Sequence, residues 1–190
     1  MYWWAQQLTA PLNYLKIRVG KDEKFNPLWV TNFVLPAVGA GAFCVLYVAL
    51  DQSISLIGED GLFRHILSLA QILVPFFIAA LAAVASMNGT WLDQNLRGSR
   101  PTTLNGRQIK RRELVIRMFG YLAYITLLTY LIIVSLIVIG PLLAEAVPFE
   151  TLVWFKVAIL FLVVSVFANI IITTFMSLYF LTDRLHEPND

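Results

Sequence analysis

Long apolar segments alternate with short polar ones along the whole chain. Four segments contain no Asp, Glu, Lys, Arg or His, and these are Phe33–Leu50, Ile66–Met87, Met118–Leu143 and Val157–Leu181. Each is close to or above the roughly 20 apolar residues that a helix needs to cross a hydrocarbon core. Because that core offers no water to backbone polar groups, such segments cross it as helices. The pattern predicts an all-α integral membrane protein with four transmembrane helices.

The polar segments divide the chain into a simple layout. We treat residues 1–190 as a single membrane domain, with spans at about 28–50, 66–87, 116–143 and 154–181. The rest is an arm (1–27), a basic loop (88–115) and a tail (182–190). The arm begins with Tyr2, Trp3 and Trp4, and these side chains favour the level of the lipid head groups. We therefore expect an N-terminal interfacial helix.

The charges are distributed unequally between the two sides of this layout. Only 14% of the residues are charged, against about 25% in soluble domains. The chain has 14 Lys and Arg residues, and all but Arg64 and Lys156 fall in the arm, in the tail, or from the loop between spans two and three to Arg117 at the start of span three. Because positive flanking residues stay in the cytoplasm, we expect both termini and the basic loop on that side of a plasma membrane.

The sequence offers little for catalysis. A hydrolase or transferase needs a nucleophile with a base, or acids around a metal. The two histidines, His65 and His186, are predicted on opposite sides of the membrane, and Cys44 is the only cysteine in the sequence. No acidic residue falls within the four uncharged segments. We therefore expect no enzymatic activity, no cofactor and no metal site.

A polar stripe runs along the fourth span. Ser165, Asn169, Thr173 and Ser177 recur at four-residue spacing, which keeps them on one face of a helix. Such a face is unfavourable against lipid and should meet either another helix or water. One interpretation is packing between helices, which we favour because hydroxyl and amide groups are common at such interfaces. The alternative is a small ion channel or pore that this stripe lines.

Two prolines interrupt the spans. Pro36 removes the helical hydrogen bond to the carbonyl of Asn32, and Pro75 removes the one to Gln71. In each case the residue with the freed carbonyl carries a side-chain amide. Gln71 and Pro75 are therefore a candidate hinge, with a fixed bend as the alternative.

Small residues are frequent in the first two spans. Ala37 and Gly41, Ala79 and Ala83, and Ala82 and Ser86 are pairs of small residues four positions apart. Such pairs let helix backbones approach closely. A surplus of them beyond the needs of one bundle favours a homo-oligomer.

The basic loop supplies candidate partner-binding residues: Arg97, Arg100, Arg107, Lys110, Arg111 and Arg112. Its first part is turn-rich, and from Arg107 onward it reads as a basic helical lead into the third span. Phosphates attract such residues, but Trp91 is the loop's only aromatic residue and the sequence contains no nucleic-acid-binding module. We therefore do not expect direct nucleic-acid binding, and we expect a cytoplasmic protein partner.

The layout resembles one known family over the whole chain. Its 190 residues, four spans, internal termini and basic segment Asn88–Arg117 are similar to KwaA, the membrane subunit of the bacterial Kiwa anti-phage system. The resemblance implies a homotetramer that senses phage attack at the inner membrane. It also implies that this assembly works with the cytoplasmic DNA-binding protein KwaB. The basic loop would then provide the docking residues.

The functional hypothesis is therefore a non-enzymatic, oligomeric platform or sensor in the lipid bilayer that recruits a cytoplasmic partner. The main alternative is the small channel or pore. A third possibility is an accessory subunit related to lipid or cell-wall processes, which no residue pattern favours.

Overall fold

The computed structural model describes residues 3–19, 26–50, 55–58, 60–87, 102–104, 107–146 and 149–182. Two of the candidate partner-binding residues, Arg97 and Arg100, lie outside these residues. So do His186 and Trp91.

Four helices of the described residues are long and apolar enough to span a membrane, which confirms the predicted architecture. The first span, Pro27–Ala49, joins α2 (Pro27–Trp29), a π-helical segment (Val30–Val34) and α3 (Leu35–Ala49). The other three spans lie in α4 (Leu62–Ser86), α5 (Arg111–Ala146) and α6 (Phe149–Thr182). The shortest span has 23 residues, or about 34 Å at 1.5 Å per residue, and this length crosses the hydrocarbon core.

The N-terminal arm is partly helical and is anchored on α5. It consists of α1 (Trp3–Thr9), a 3₁₀ helix (Ala10–Lys16) that starts next to Pro11, and β1 (Arg18–Val19). Trp3 and Trp4 are exposed, whereas Tyr14 and Ile17 are buried. The 3₁₀ helix packs directly against α5. The arm thus has an exposed aromatic end, as an interfacial helix requires, and a buried anchor that the sequence did not reveal.

A small antiparallel sheet connects the arm to the basic loop. Its strands are β1, β2 (Thr102–Leu104) and β3 (Arg107–Gln108), in that order. Arg18 pairs with Thr103 in the first ladder, and Thr103 pairs with Gln108 in the second. The expected helical lead from Arg107 is therefore wrong at its start, because Arg107 and Gln108 pair with β2 and α5 begins only at Arg111.

The four spans pack in an order that differs from their order along the chain. α4 packs against α5, α5 against α6, and α6 against the first span. Spans one and two are consecutive along the chain, but their main contacts are with α6 and α5, respectively. We use the term basic end for the end of the bundle that contains the small sheet and the start of α5.

The buried apolar residues form two clusters at different levels of the bundle. The cluster nearer the basic end includes Tyr14, Phe77, Val115, Phe119 and Leu122. The cluster nearer the opposite end includes residues of all four spans: Cys44, Tyr47, Phe63, Ile66, Ile133, Leu160 and Val163. Between these levels, α5 carries two buried threonines, Thr126 and Thr129.

Candidate functional site: a buried polar junction and a basic end

A buried hydrogen-bond network joins three spans. The side-chain Nδ2 of Asn169 on α6 donates to the backbone carbonyl oxygen of Asn32 in the first span, at 2.7 Å. The hydroxyl of Tyr121 on α5 donates to Oδ1 of Asn169, also at 2.7 Å. The Thr173 hydroxyl lies 3.5 Å from Oδ1 of Asn32, a distance at which any hydrogen bond is weak. We call these four residues the polar junction.

The junction follows from the proline of the first span. Pro36 has no N–H, so the carbonyl of Asn32 loses its normal donor four residues further along the helix. The π-helical segment Val30–Val34 lies at the same place. Asn169 supplies the missing donor from a neighbouring helix, as side chains commonly do at prolines within spans. The carbonyl that the proline leaves free thus forms a hydrogen bond between the first span and α6.

Three of the four residues of the predicted stripe are buried within this chain. Asn169, Thr173 and Ser177 are 6%, 0% and 2% exposed, and Ser165 is half-buried. Ser177 donates to the backbone carbonyl of Thr173 within α6. The stripe therefore faces the bundle of its own protomer, where its central residue Asn169 bonds to two other helices.

Tyr14 brings the arm to the edge of the junction. Its ring lies 5.0 Å, centroid to centroid, from the ring of Tyr121. Its hydroxyl is buried and makes no hydrogen bond of regular geometry with the described residues. Burial raises the pKa of Tyr14, and an interaction with the Asn32 side chain offsets part of that rise. The arm is thus coupled to the first span and to α5 through one aromatic side chain.

The structure separates the described basic residues of the loop by exposure. Arg107 and Lys110 are exposed and Arg112 is half-buried, whereas Arg111 is buried. Arg107 forms an ion pair with Glu113 at 2.9 Å. Arg112 donates to the backbone carbonyl of Ala85 on α4 at 3.4 Å. Of the four, Lys110 and Arg107 are best placed to meet a soluble protein.

Glu113 neutralises part of this cluster. Its carboxylate accepts from Arg107 on one side and from Arg117, one turn along α5, on the other. Glu113 is the only acidic residue of the described part of the basic end, and it is already shared by two arginines. The described residues of this exposed face therefore carry a net positive charge.

An apolar pocket opens at the basic end between the arm, the first span, α5 and α6. Its volume is about 280 Å³. Its walls include Tyr14 of the arm, Leu28 of the first span, Leu114 and Met118 of α5, and Phe180 of α6. No pattern in the sequence predicted this pocket, because its walls come from four segments that are distant along the chain.

The candidate hinge residues lie on an exposed face of α4. Gln71 and Pro75 are both exposed, within a helix that runs without a break from Leu62 to Ser86. The same face carries further small or polar residues, all of them exposed: Ser68, Ala79, Ala82 and Ser86. We call this set, together with Gln71 and Pro75, the α4 face. The pair Ala37 and Gly41 in the first span is half-buried, whereas the predicted pairs on α4 are exposed.

The described residues contain no group of three or more His, Cys, Asp or Glu side chains that could hold a metal ion. Searches of family models, curated proteins and solved structures found no match to the chain. The sequence analysis did not identify Asn32 and Tyr121 as partners of Asn169, or Tyr14 as their neighbour. The position of Asn32 four residues before Pro36 was a partial signal.

Proposed function

We propose that this multi-pass membrane protein is a non-catalytic platform that docks a soluble protein at its basic end. The observation that carries the proposal is the pairing of β1 with β2, with Arg18 opposite Thr103. This ladder holds the arm and the basic loop together. The exposed cations Lys16 and Arg18 of the arm and Lys110 of the loop therefore belong to one surface. A surface of this kind steers an acidic partner and fixes its orientation.

Self-assembly through the α4 face is the second part of the proposal. Gln71 is the tenth residue of the 25-residue helix α4 and is exposed near the middle of the span. An amide at that depth is unfavourable against lipid and favours association with another helix. The small side chains at Ala79, Ala82 and Ser86 allow the close approach that such a hydrogen bond requires. A glutamine both donates and accepts, so two copies of this face are complementary to each other.

The pore hypothesis is less well supported by the same geometry. A pore that the stripe of α6 lines would need Asn169 and Thr173 to face water. Both residues are buried within the protomer, and Asn169 uses its donor and its acceptor on Asn32 and Tyr121. Breaking those bonds would leave the carbonyl of Asn32 without a partner. We therefore place the stripe in the packing of the protomer.

The resemblance to the KwaA family extends the proposal to a biological role. It suggests a tetrameric sensor of phage attack in the bacterial inner membrane, with both termini in the cytoplasm. The docked protein would be a DNA-binding partner similar to KwaB. The four spans and the clustered cations at one end support this role.

A pull-down from native membranes in mild detergent tests the platform. The wild-type chain, the double variant Lys110→Glu with Lys16→Glu, and the control Lys156→Glu are compared by mass analysis of the recovered complexes. We expect a soluble protein in stoichiometric amount with the wild type and the control, and its loss with the double variant. Equal recovery with all three chains would exclude the basic end as the dock. A homo-oligomer without any soluble protein would contradict the proposal.

A further inference from the structure

Arg111 is a charged residue that is buried at the start of α5. It is 7% exposed, and no described residue accepts a hydrogen bond from its guanidinium or forms an ion pair with it. Arg111 is therefore a largely enclosed cation that keeps its hydrogen-bond donors available. An anion from outside the chain would gain charge-assisted hydrogen bonds there.

The position of Arg111 in α5 adds to this positive potential. It is the first residue of the helix, where the helix dipole and the first-turn N–H groups favour a negative charge. The carboxylate of Glu113, two residues along the helix, is engaged by Arg107 and Arg117. Lys16, Arg18 and Lys110 are exposed around the same end. Within the described residues, these surroundings favour an anion and provide no free carboxylate to compete with it.

The buried face of α5 continues from Arg111 into the apolar pocket. Leu114 and Met118 follow Arg111 at three and seven positions, so the three residues share one face of the helix, and all three are buried. Leu114 and Met118 line the pocket, together with Leu28, Met176 and Phe180 from the neighbouring spans. Arg111 thus lies one helical turn before Leu114, the first residue of α5 that lines the cavity.

We propose that this site binds one anionic phospholipid, with its phosphate at Arg111 and part of an acyl chain in the pocket. Along α5, the cationic residue comes first and the apolar residues that line the pocket follow. A phospholipid at the membrane surface has the same order, with its charged head group first and its acyl chains below. The pocket of about 280 Å³ is at the small end of ligand sites, so it holds part of one chain and not a whole lipid. The arm contributes Tyr14 and Val19 to the pocket walls, so the bound lipid would stabilise the docked arm. This inference does not depend on which protein docks at the basic end.

The test compares lipid binding by the purified full-length chain in native mass spectrometry. Phosphatidylglycerol and phosphatidylcholine of the same chain length are titrated against the wild type, Arg111→Gln, the neighbouring exposed control Lys110→Gln, and Leu114→Trp. Arg111→Lys keeps the charge and reports on folding. We expect one tightly bound phosphatidylglycerol on the wild type and about tenfold weaker binding by Arg111→Gln, the loss that follows from removing a charge-assisted hydrogen bond. Lys110→Gln should change binding by less than about twofold, as an exposed charge does.

Two further comparisons identify the source of the anion. Leu114→Trp fills the pocket while leaving Arg111 in place, so it should weaken phosphatidylglycerol binding and leave the weak binding of inorganic phosphate unchanged. If inorganic phosphate competes fully and Leu114→Trp has no effect, the site binds a free anion and the lipid proposal is overturned. Equal losses for Arg111→Gln and Lys110→Gln, or equal binding of the two lipids by the wild type, would also overturn it. If Arg111→Gln does not fold, the lipid selectivity of the wild type and the Leu114→Trp result still decide the question.

Discussion

Nδ2 of Asn169 on α6 lies 2.7 Å from the carbonyl oxygen of Asn32, which is the carbonyl that Pro36 leaves without a helical donor. A defect in one span is thus satisfied by a side chain of another. Because Tyr121 donates to the same amide, the three helices are joined at one point. Such a junction favours one arrangement of the spans over others, because only the correct neighbour offers a donor at that position.

Replacing Asn169 with Leu should destabilise the protomer. The change leaves the carbonyl of Asn32 and the hydroxyl of Tyr121 buried without partners, and we expect a loss of about 1–3 kcal/mol in the free energy of unfolding. Unfolding by a denaturing detergent, followed by tryptophan fluorescence, measures this loss. Ser165→Ala, in the half-buried first position of the stripe, is the matched control and should change stability by less than about 0.5 kcal/mol. A stable Asn169→Leu variant with altered conductance in a planar bilayer would instead favour the pore.

Pro36→Ala should partly rescue Asn169→Leu. Alanine restores an N–H at position 36, which can donate to the carbonyl of Asn32 within the helix and so replace the lost bond. We expect the cost of Asn169→Leu to be smaller by about 1 kcal/mol in the Pro36→Ala background. The double-mutant cycle in the same unfolding assay gives this coupling directly. Pro75→Ala is the control, because the carbonyl it would satisfy is that of Gln71 on α4. Strictly additive effects of Pro36→Ala and Asn169→Leu would show that the proline and the asparagine act independently.

Gln71→Leu should weaken self-association without unfolding the protomer. The side chain is exposed on α4, so its loss costs the single chain little and removes a hydrogen bond between copies. We expect a three- to tenfold decrease in the association constant, because polar contacts between transmembrane helices contribute about 0.6–2 kcal/mol each. Energy transfer between labelled chains in vesicles measures this constant. Placing Gln at Leu69 in the Gln71→Leu background moves the amide by about 160° round the helix. Recovery of association in that double variant would show that the α4 face is not the interface.

High pH should release the arm through Tyr14. Burial raises the pKa of this residue in the folded chain, so the folded state holds the proton more tightly than the unfolded state does. The resulting stability is fully present below the ordinary tyrosine pKa of about 10, and it is lost as the pH rises through the higher folded pKa. Limited proteolysis of the arm between pH 9 and pH 11 measures the release. Tyr14→Phe removes the ionising group and should make arm protection less dependent on pH, whereas an unchanged pH profile would assign the effect to another group.

The sequence predicted the parts of this structure that depend on local pattern. Hydropathy located the four spans, and the spacing of Ser165, Asn169, Thr173 and Ser177 correctly placed them on one face of a helix. The sequence pattern could not identify Asn32 and Tyr121 as the partners of Asn169, because the packing of the whole bundle decides which helices are neighbours. The small sheet escaped prediction for a similar reason. Its strands have two or three residues, and β1 pairs with a segment more than 80 residues away, so no periodicity marks it.

Burial should separate the basic residues of the loop into two functional groups. Lys110 is exposed and Arg111, next to it, is buried, so only the former can contact a soluble protein without a rearrangement of α5. We expect Lys110→Glu to weaken binding of the soluble protein by about tenfold at low salt, with a smaller effect at high salt because surface charges are screened. Arg111→Gln should leave that binding within about twofold. Surface plasmon resonance on the chain in nanodiscs at two salt concentrations measures both effects. The reverse order, with Arg111→Gln the more damaging change, would mean that α5 opens at its first turn when the partner docks.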